Sequence, residues 1–492
     1  MDWLADRTAA SPDALALMIN GRSYPYHELN QLVNHMAAQL TAENVAPGQH
    51  VAALMPNSLD YVCLVHALAR LGAVLVPLNT RLTAAELSWQ LQHTHASHLI
   101  FDPSHADMAE TLRAEQNGRL HPTTPTWSHI QFPIPNPQSF DPAQDKYPIS
   151  NLQSLVFTSG TTGRPKAAML TFDNHLWSAN ASAYRLGLDV NDRWLCCLPL
   201  FHVGGLAILF RSCLYGTAVI LHPKFDTAAI SHSLDHDGVT LISLVPTMVY
   251  RLFDYRQGRP WPTTLRHLLI GGAATTPDLV ARCQALNIPL AASYGLTEAA
   301  SQVATLRPEG VPAKPGCVGR PLMFTRVRIL DENGHPLPPN SYGELAVSGP
   351  TVMAGYYANP EATAQTIVNG ELHTGDIGYL DDDGDLWLVQ RRSDIIISGG
   401  ENIYPAEVER VLEDHPQVTA VCVVGIPSRE WGQQVAAMIV ADGLTADELR
   451  HFASQQLASY KLPRHIRFVA TLPQLGNGKI DRRSVAARLA ES

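Results

Sequence analysis

Short apolar runs, each separated from the next by a stretch of helical period, constrain this chain more than any other feature. His50-Val51-Ala52-Ala53-Leu54-Met55 and Ala73-Val74-Leu75-Val76-Pro77-Leu78 read as buried strands. Leu29 to Leu40 and Ser58 to Leu71 carry apolar residues at helical spacing. Strands this uniformly apolar need cover on both faces, which a parallel sheet flanked by helices supplies. The alternation covers residues 1–105 and resumes from 152 to about 310.

Between these stretches, residues 117–149 are rich in proline (Pro122, Pro125, Pro133, Pro135, Pro137, Pro142, Pro148) and read as an extended connector. Residues 316–390 change character: valine- and isoleucine-rich runs are broken by Asp331-Glu332-Asn333-Gly334 and Asp381-Asp382-Asp383-Gly384, the pattern of antiparallel strands and turns. The remainder predicts a helix at Pro405–Asp414, a strand at Val418–Val424 and a helix at Ala446–Ala458. The expected fold is α/β: a large N-terminal domain, 1–392, of layered α/β subdomains plus a β-rich subdomain, followed by a small α+β C-terminal domain, 393–492.

Composition narrows the class. A chain of 492 residues, 46% hydrophobic and 16% charged, suits several packed units rather than a disordered chain. A net charge of −10 weighs against a nucleic-acid partner. The longest apolar stretch, Leu64 to Leu78, is interrupted by His66 and Arg70, so no membrane span is expected. The start, Met1-Asp2-Trp3-Leu4, lacks the features of a signal peptide. Seven scattered cysteines with no CxxC pair read as reduced thiols, so a cytoplasmic protein is expected.

The chemistry concentrates in Thr158-Ser159-Gly160-Thr161-Thr162-Gly163-Arg164-Pro165-Lys166, directly after the strand Leu155-Val156-Phe157. Nine residues offer two glycines, four hydroxyls and two cations. Glycines let backbone N–H groups approach a phosphate, hydroxyls donate to its oxygens, and Lys166 and Arg164 offset its charge. The loop is not GxxxxGK[ST]. Composition alone leaves a phosphate site and a flexible surface turn both open.

The loop resembles the signature of the adenylate-forming superfamily of acyl-CoA synthetases, luciferases and peptide-synthetase adenylation domains, although Ala167 follows the lysine where glycine is usual. Four further segments in family order carry the likeness: Ser293-Tyr294-Gly295-Leu296-Thr297-Glu298, Leu372-His373-Thr374-Gly375-Asp376, Gln390-Arg391-Arg392-Ser393-Asp394 running on to Pro405, and Gly476-Asn477-Gly478-Lys479. The resemblance implies an enzyme that activates a carboxylic acid with ATP and Mg²⁺ and passes the acyl group to coenzyme A. It implies ATP contacts from Thr158, Ser159, Gly160, Thr161, Thr162, Gly163 and Lys166. Gly271, Gly272, Ala273, Ala274 and Tyr294 would hold adenine with Gly295 also at the ATP site, Thr297 would meet the α-phosphate, Asp376 the ribose, and Arg391 the ribose or the α-phosphate. Glu298 would be the metal ligand, as one carboxylate beside phosphates suffices for magnesium. Lys479 would meet the developing charge in adenylation. Ser393 would be the hinge of a mobile C-terminal domain, and Ser398, Gly399 and Gly400 would line the CoA tunnel. Read without the resemblance, Asp376 is a turn residue after a strand, Glu298 an acid at a helix start and Lys479 one exposed lysine among many.

Pro199-Leu200-Phe201-His202-Val203-Gly204-Gly205 resembles the acyl-pocket segment of aryl and fatty acyl-CoA synthetases, and His202 stands where amino-acid-activating relatives carry aspartate. His202 is either a pocket residue or a satisfied structural histidine. The Arg391-Arg392-Ser393-Asp394 run and the Ala300-Ser301-Gln302 extension resemble the o-succinylbenzoate–CoA ligases of menaquinone biosynthesis. That acid carries a second carboxylate that needs donors; Ser301 and Gln302 are candidates, with His202, Gly204 and Ser293 lining the same pocket. No cation for it is identifiable from sequence. Benzoate-like or medium-chain acids, or a stand-alone peptide-synthetase-type module, are the alternatives. The oligomeric state is left open, relatives often being dimers or tetramers.

Overall fold

The computed structural model describes residues 1–116, 120–124, 151–158, 164–273, 275–390, 395–473 and 480–491. The chain divides into two units: 1–80, 91–156 and 167–389 form the larger, and 81–90, 157–166 and 390–492 the smaller. The fold is mixed α/β.

In the larger unit an eight-stranded sheet runs in the order Ser301–Leu306, Leu290–Leu296, His267–Ile270, Leu241–Leu244, Arg193–Cys196, Ala218–Leu221, Leu15–Ile19, Arg22–Pro25. Its interior pairings are parallel, as the uniformly apolar runs require, and both edge pairings are antiparallel. A second sheet begins with parallel strands His98–Phe101, His50–Leu54 and Val74–Pro77, whose middle strand is buried at every position. The connector contributes to this sheet: His121–Thr123 pairs in parallel with His98–Phe101, so those residues are a strand rather than extended coil. Residues 117–119 and 125–149 of the connector lie outside the described residues, as do Ser159 to Gly163, Ala274, Arg391 to Asp394 and Gly476 to Lys479.

The 317–390 stretch forms a six-stranded sheet whose described pairings are all antiparallel. Its strand Glu371–Leu380 passes straight through Thr374-Gly375-Asp376. The expected turn before Asp376 is instead a bulge inside a strand, where Gly375 takes φ 72° and the pairing register shifts.

The smaller unit packs the long hairpin Val418–Ser428 and Gly432–Ala441 against helices Pro405–Glu413 and Arg482–Ala490. Its strand runs past the expected Val424 because the hairpin partner pairs as far as Ser428. The helix from Ala446 ends at Ser454 rather than Ala458, giving way to i→i−3 turns at Gln455 and Gln456.

Two helices of the larger unit frame the site. Phe172–Leu186 starts at a capping box in which Thr171 and Asn174 satisfy each other's backbone N–H groups. Val203–Tyr215 starts at His202 and is buried continuously from Gly205 to Cys213. Gly205 is required there, since a Cβ would lie 2.4 Å from the Pro199 carbonyl oxygen.

Candidate active site

The strand Leu290–Leu296 delivers Ser293, Tyr294 and Gly295, then turns through one 3₁₀ turn, Thr297–Ala299, and returns antiparallel as Ser301–Leu306. The return is tight. A Cβ on Gly295 would sit 1.8 Å from the Ser301 carbonyl oxygen, so only glycine fits. Ala300 and Ser301 take φ 48° and 99°, conformations that cost non-glycine residues about 1–3 kcal/mol each. Ser178 holds the turn by donating to the Ala300 carbonyl at 2.7 Å, and Ala300 N–H donates to Thr297 at 3.0 Å. Strain held by hydrogen bonds of this kind concentrates at functional sites.

Two carboxylates flank this segment, each held by a phenol. Tyr294 donates to Asp376 Oδ2 at 2.6 Å, with both residues buried. The bulge that aims Asp376 is fixed by Glu344, which accepts from Gly375 N–H at 3.0 Å, and by Thr374, whose hydroxyl accepts from Asp376 N–H at 3.1 Å. Tyr356 donates to Glu298 Oε1 at 2.9 Å. Glu298 Oε2 takes no hydrogen bond or ion pair among the described residues, leaving an oxygen donor of the type magnesium prefers. The residues fit one metal ligand of a magnesium–nucleotide site. Tyr294 is 2% exposed and packs in the core beneath this segment. Gly271 and Gly272 connect His267–Ile270 to the helix Pro277–Ala285; Gly272 has φ 79°, and a Cβ on Gly271 would lie 3.7 Å from the Ser293 carbonyl oxygen. Gly271, Gly272 and Ala273 thus lie beside the strand of Tyr294.

On the acyl side, Ser293 Oγ is 3.0 Å from the Thr305 hydroxyl, and Gln302 donates to both, at 3.4 and 3.0 Å. Gln302 Oε1 is buried without a hydrogen-bond partner among the described residues. His202 packs edge-on to Phe201 at the head of Val203–Tyr215, and Gly204 is in that helix's first turn. The structure adds a residue that sequence reasoning missed. Arg211, on the same helix, is 2% exposed and has no carboxylate partner among the described residues. Its Nη2 donates to Ser178 Oγ at 3.2 Å, the same hydroxyl that holds Ala300, its Nε has no hydrogen-bond partner among the described residues, and the guanidinium stands 5.7 Å from the Trp194 ring centre. Burial holds its pKa below the usual arginine value. Beside it, burial and the Arg211 charge hold His175 down at about 3, so His175 is neutral. The signal in the sequence was an arginine within an apolar helix.

In the smaller unit Thr158 Oγ1 donates to the Lys166 carbonyl at 3.4 Å, closing the two ends of the phosphate-loop segment. Ser398, Gly399 and Gly400 make a tight hairpin; Gly399 and Gly400 have φ 59° and 90°, and a Cβ on Gly399 would lie 2.8 Å from the Trp431 ring. Glu401, at the hairpin's exit, pairs with Arg81 at 2.9 Å. A separate carboxylate cluster, Asp381, Asp383 and Asp385, is not a vacant metal site: Lys314 Nζ lies 2.8, 2.7 and 2.5 Å from the three.

With the tyrosine-gripped carboxylates and the strained turn in place, the comparison with known families is decisive. The AMP-binding enzyme family matches residues 4–357, and its C-terminal domain matches 407–479. The chain belongs to the AMP-binding enzymes. Among AMP-binding enzymes, 2-succinylbenzoate–CoA ligases of Bacillus cereus and Bacillus anthracis are each 38% identical over 491 residues, covering 100% of this chain and 98% of the relative. The structure of a double mutant of the Bacillus subtilis o-succinylbenzoate CoA synthetase bound with its product analogue superposes with a TM-score of 0.90 at 35% identity, covering 100% and 98% of the two chains. The same Bacillus subtilis enzyme in complex with ATP and magnesium ion gives 0.73 at 35% identity, with 99% of each chain covered.

Proposed function

We propose that this AMP-binding enzyme is an o-succinylbenzoate–CoA ligase serving menaquinone biosynthesis, converting o-succinylbenzoate, ATP and CoA to o-succinylbenzoyl-CoA, AMP and diphosphate. In the first step an oxygen of the succinyl carboxylate bonds to the α-phosphorus of ATP as the bond to diphosphate breaks. In the second the CoA thiol, losing its proton, bonds to the acyl carbon as AMP leaves. The carboxylate nucleophile is already ionised at neutral pH, so positioning and charge stabilisation carry the first step rather than a general base. Asp376 accepts the ribose hydroxyls, Thr297 meets the α-phosphate, and Thr158 to Lys166 cradles the phosphates. Glu298 is the residue to hold Mg²⁺, which when bound neutralises phosphate charge. Lys479 meets the charge developing in adenylation, Arg391 the ribose, and Ser398, Gly399 and Gly400 the thiol arm. Ser393 is the hinge between domains 1–392 and 393–492.

One observation favours the dicarboxylate over simpler acids: Arg211, a buried guanidinium with no carboxylate of its own among the described residues, lies one hydroxyl away from the Ala300–Ser301 turn. A buried cation is costly unless an anion meets it, and the ring carboxylate of o-succinylbenzoate is such an anion. No helix of the described residues is long and apolar enough to cross a membrane, and a soluble cytoplasmic enzyme acting on small molecules suits the reading.

The test is thioester formation with ATP, Mg²⁺ and CoA, comparing o-succinylbenzoate with benzoate and octanoate at matched concentrations. A strong preference for o-succinylbenzoate supports the assignment; preference for a simple acid reduces it to another acyl-CoA synthetase. Lys479→Ala should suppress adenylation far more than thioester formation from supplied acyl-adenylate.

A further inference from the structure

Glu298 is gripped twice by one short segment. Met353 N–H donates to the Glu298 backbone carbonyl at 2.8 Å, and Tyr356 donates to its carboxylate at 2.9 Å. The same segment runs antiparallel to the residues that leave the phosphate-loop segment: Tyr357 N–H donates to Ala167 at 2.8 Å, Met169 N–H to Gly355 at 2.9 Å, Ala354 N–H to Met169 at 3.0 Å, and Ala168 bridges Tyr356. Its start is anchored in turn, because Asn174 of the capping box donates to the Pro350 and Val352 carbonyls at 2.8 and 2.9 Å.

A carboxylate on a 3₁₀ turn has freedom about its side-chain torsions, and a metal ligand loses affinity for every orientation it must give up on binding. Tyr356 is 6% exposed and packed in the core, so its hydroxyl is a fixed donor. It occupies one oxygen of Glu298 and fixes the direction of the other. Holding the orientation of a ligating carboxylate through an outer hydrogen bond is a known means of tuning a metal site.

We propose that Tyr356 is a positioning residue for the magnesium ligand Glu298, which sets the enzyme's affinity for the metal in its nucleotide complex. The proposal rests on the reading of Glu298 as that ligand. Phe at 356 keeps the ring and its packing and removes only the donor. A hydrogen bond to a charged group is worth enough that its loss should weaken metal binding about ten- to a hundredfold.

The experiment uses Mn²⁺ as the probe, following free Mn²⁺ by electron paramagnetic resonance with the full-length protein in excess over ATP, against the same titration of ATP without protein. Metal-free ATP affinity is measured calorimetrically on the same samples. Three proteins are compared: wild type, Tyr356→Phe and Glu298→Gln. The expected result is weakened Mn²⁺ binding in both variants, with metal-free ATP affinity unchanged in Tyr356→Phe and its adenylation recovered at high Mg²⁺. If Glu298→Gln weakens Mn²⁺ binding and Tyr356→Phe does not, Tyr356 has no positioning role. If Tyr356→Phe loses metal-free ATP affinity in step with Mn²⁺, its role is structural. If Glu298→Gln leaves Mn²⁺ binding intact, the ligand assignment fails and the Tyr356 proposal falls with it.

Discussion

Replacing Arg211 with methionine should separate substrate recognition from folding, because the two effects have opposite signs. The side chain is 2% exposed, its Nε has no hydrogen-bond partner among the described residues, and its described protein acceptor is the neutral Ser178 hydroxyl at 3.2 Å. The Trp194 ring, 5.7 Å from the guanidinium, offsets part of its desolvation, but no anion among the described residues does, and methionine fills the space without that cost. The melting temperature of Arg211→Met should therefore be equal to or above that of the wild type. The substrate sees the reverse. With its cation gone, the ring carboxylate would be left unpaired in a buried site, a loss of about 3–5 kcal/mol, or about 150- to 5,000-fold in kcat/KM.

The assay is acid-dependent diphosphate release with two acids: o-succinylbenzoate, and 4-oxo-4-phenylbutanoate, which keeps the succinyl arm and lacks the ring carboxylate. Wild type should strongly prefer the dicarboxylate. Arg211→Met should lose that preference while its kcat/KM for the mono-acid holds or rises. An equal fall with both acids, accompanied by a lower melting temperature, would show that Arg211 supports the packing of Phe172–Leu186 on Val203–Tyr215 and does not read the substrate.

Gly295→Ala would place a Cβ 1.8 Å from a backbone carbonyl, so it should cost more than the about 1–3 kcal/mol usual for overpacking and abolish adenylation, as read by denaturant unfolding and diphosphate release. Lys461 is 4% exposed and pairs with Glu86 at 2.7 Å and Glu407 at 2.8 Å; although burial acts to lower its pKa, those carboxylates hold it above the usual lysine value. Lys461→Met strands both acids, and chemical denaturation of the full chain should show a loss of about 3–5 kcal/mol. His175 has a folded pKa of about 3 against 6.5 unfolded, so the unfolded state binds more protons between these values and stability must fall as pH drops from about 6.5 toward 3. His175→Phe should flatten the pH dependence of the melting temperature between pH 6.5 and 5, above the range in which most carboxylates titrate; an unchanged slope would refute the assignment.

The parts of this fold written in local sequence were legible, and those made by pairing distant segments were not. His50–Leu54 and Val74–Pro77 announce themselves as buried strands because nearly every position is apolar. Nothing local says that Leu17 pairs with Val219, which puts Leu15–Ile19 and its partner Arg22–Pro25 in a different sheet from His50–Leu54 and Val74–Pro77. The bulge at Gly375 was read as a turn because Thr-Gly-Asp favours both; the strand continuing to Leu380 decides it. Arg211 hid for a related reason. On a helix with one solvated face a single arginine is unremarkable, and only when the helix proves buried from Gly205 to Cys213 does its charge demand a partner.

The two phenols carry the same lesson into the site. Tyr294 and Glu298 lie four residues apart, and local reading pairs each with the nucleotide: an aromatic ring for adenine, a carboxylate for metal. The structure adds that Tyr294 donates its hydroxyl to Asp376, 82 residues away, and that Glu298 receives a hydroxyl from Tyr356, 58 residues away. Both bonds join segments far apart in sequence, and no single motif encodes them. Their effect is to fix two carboxylates in advance of any ligand, so that little orientational freedom remains to be lost on binding. A motif can therefore name the carboxylates, while their aim is set by the tyrosines that the fold brings to them.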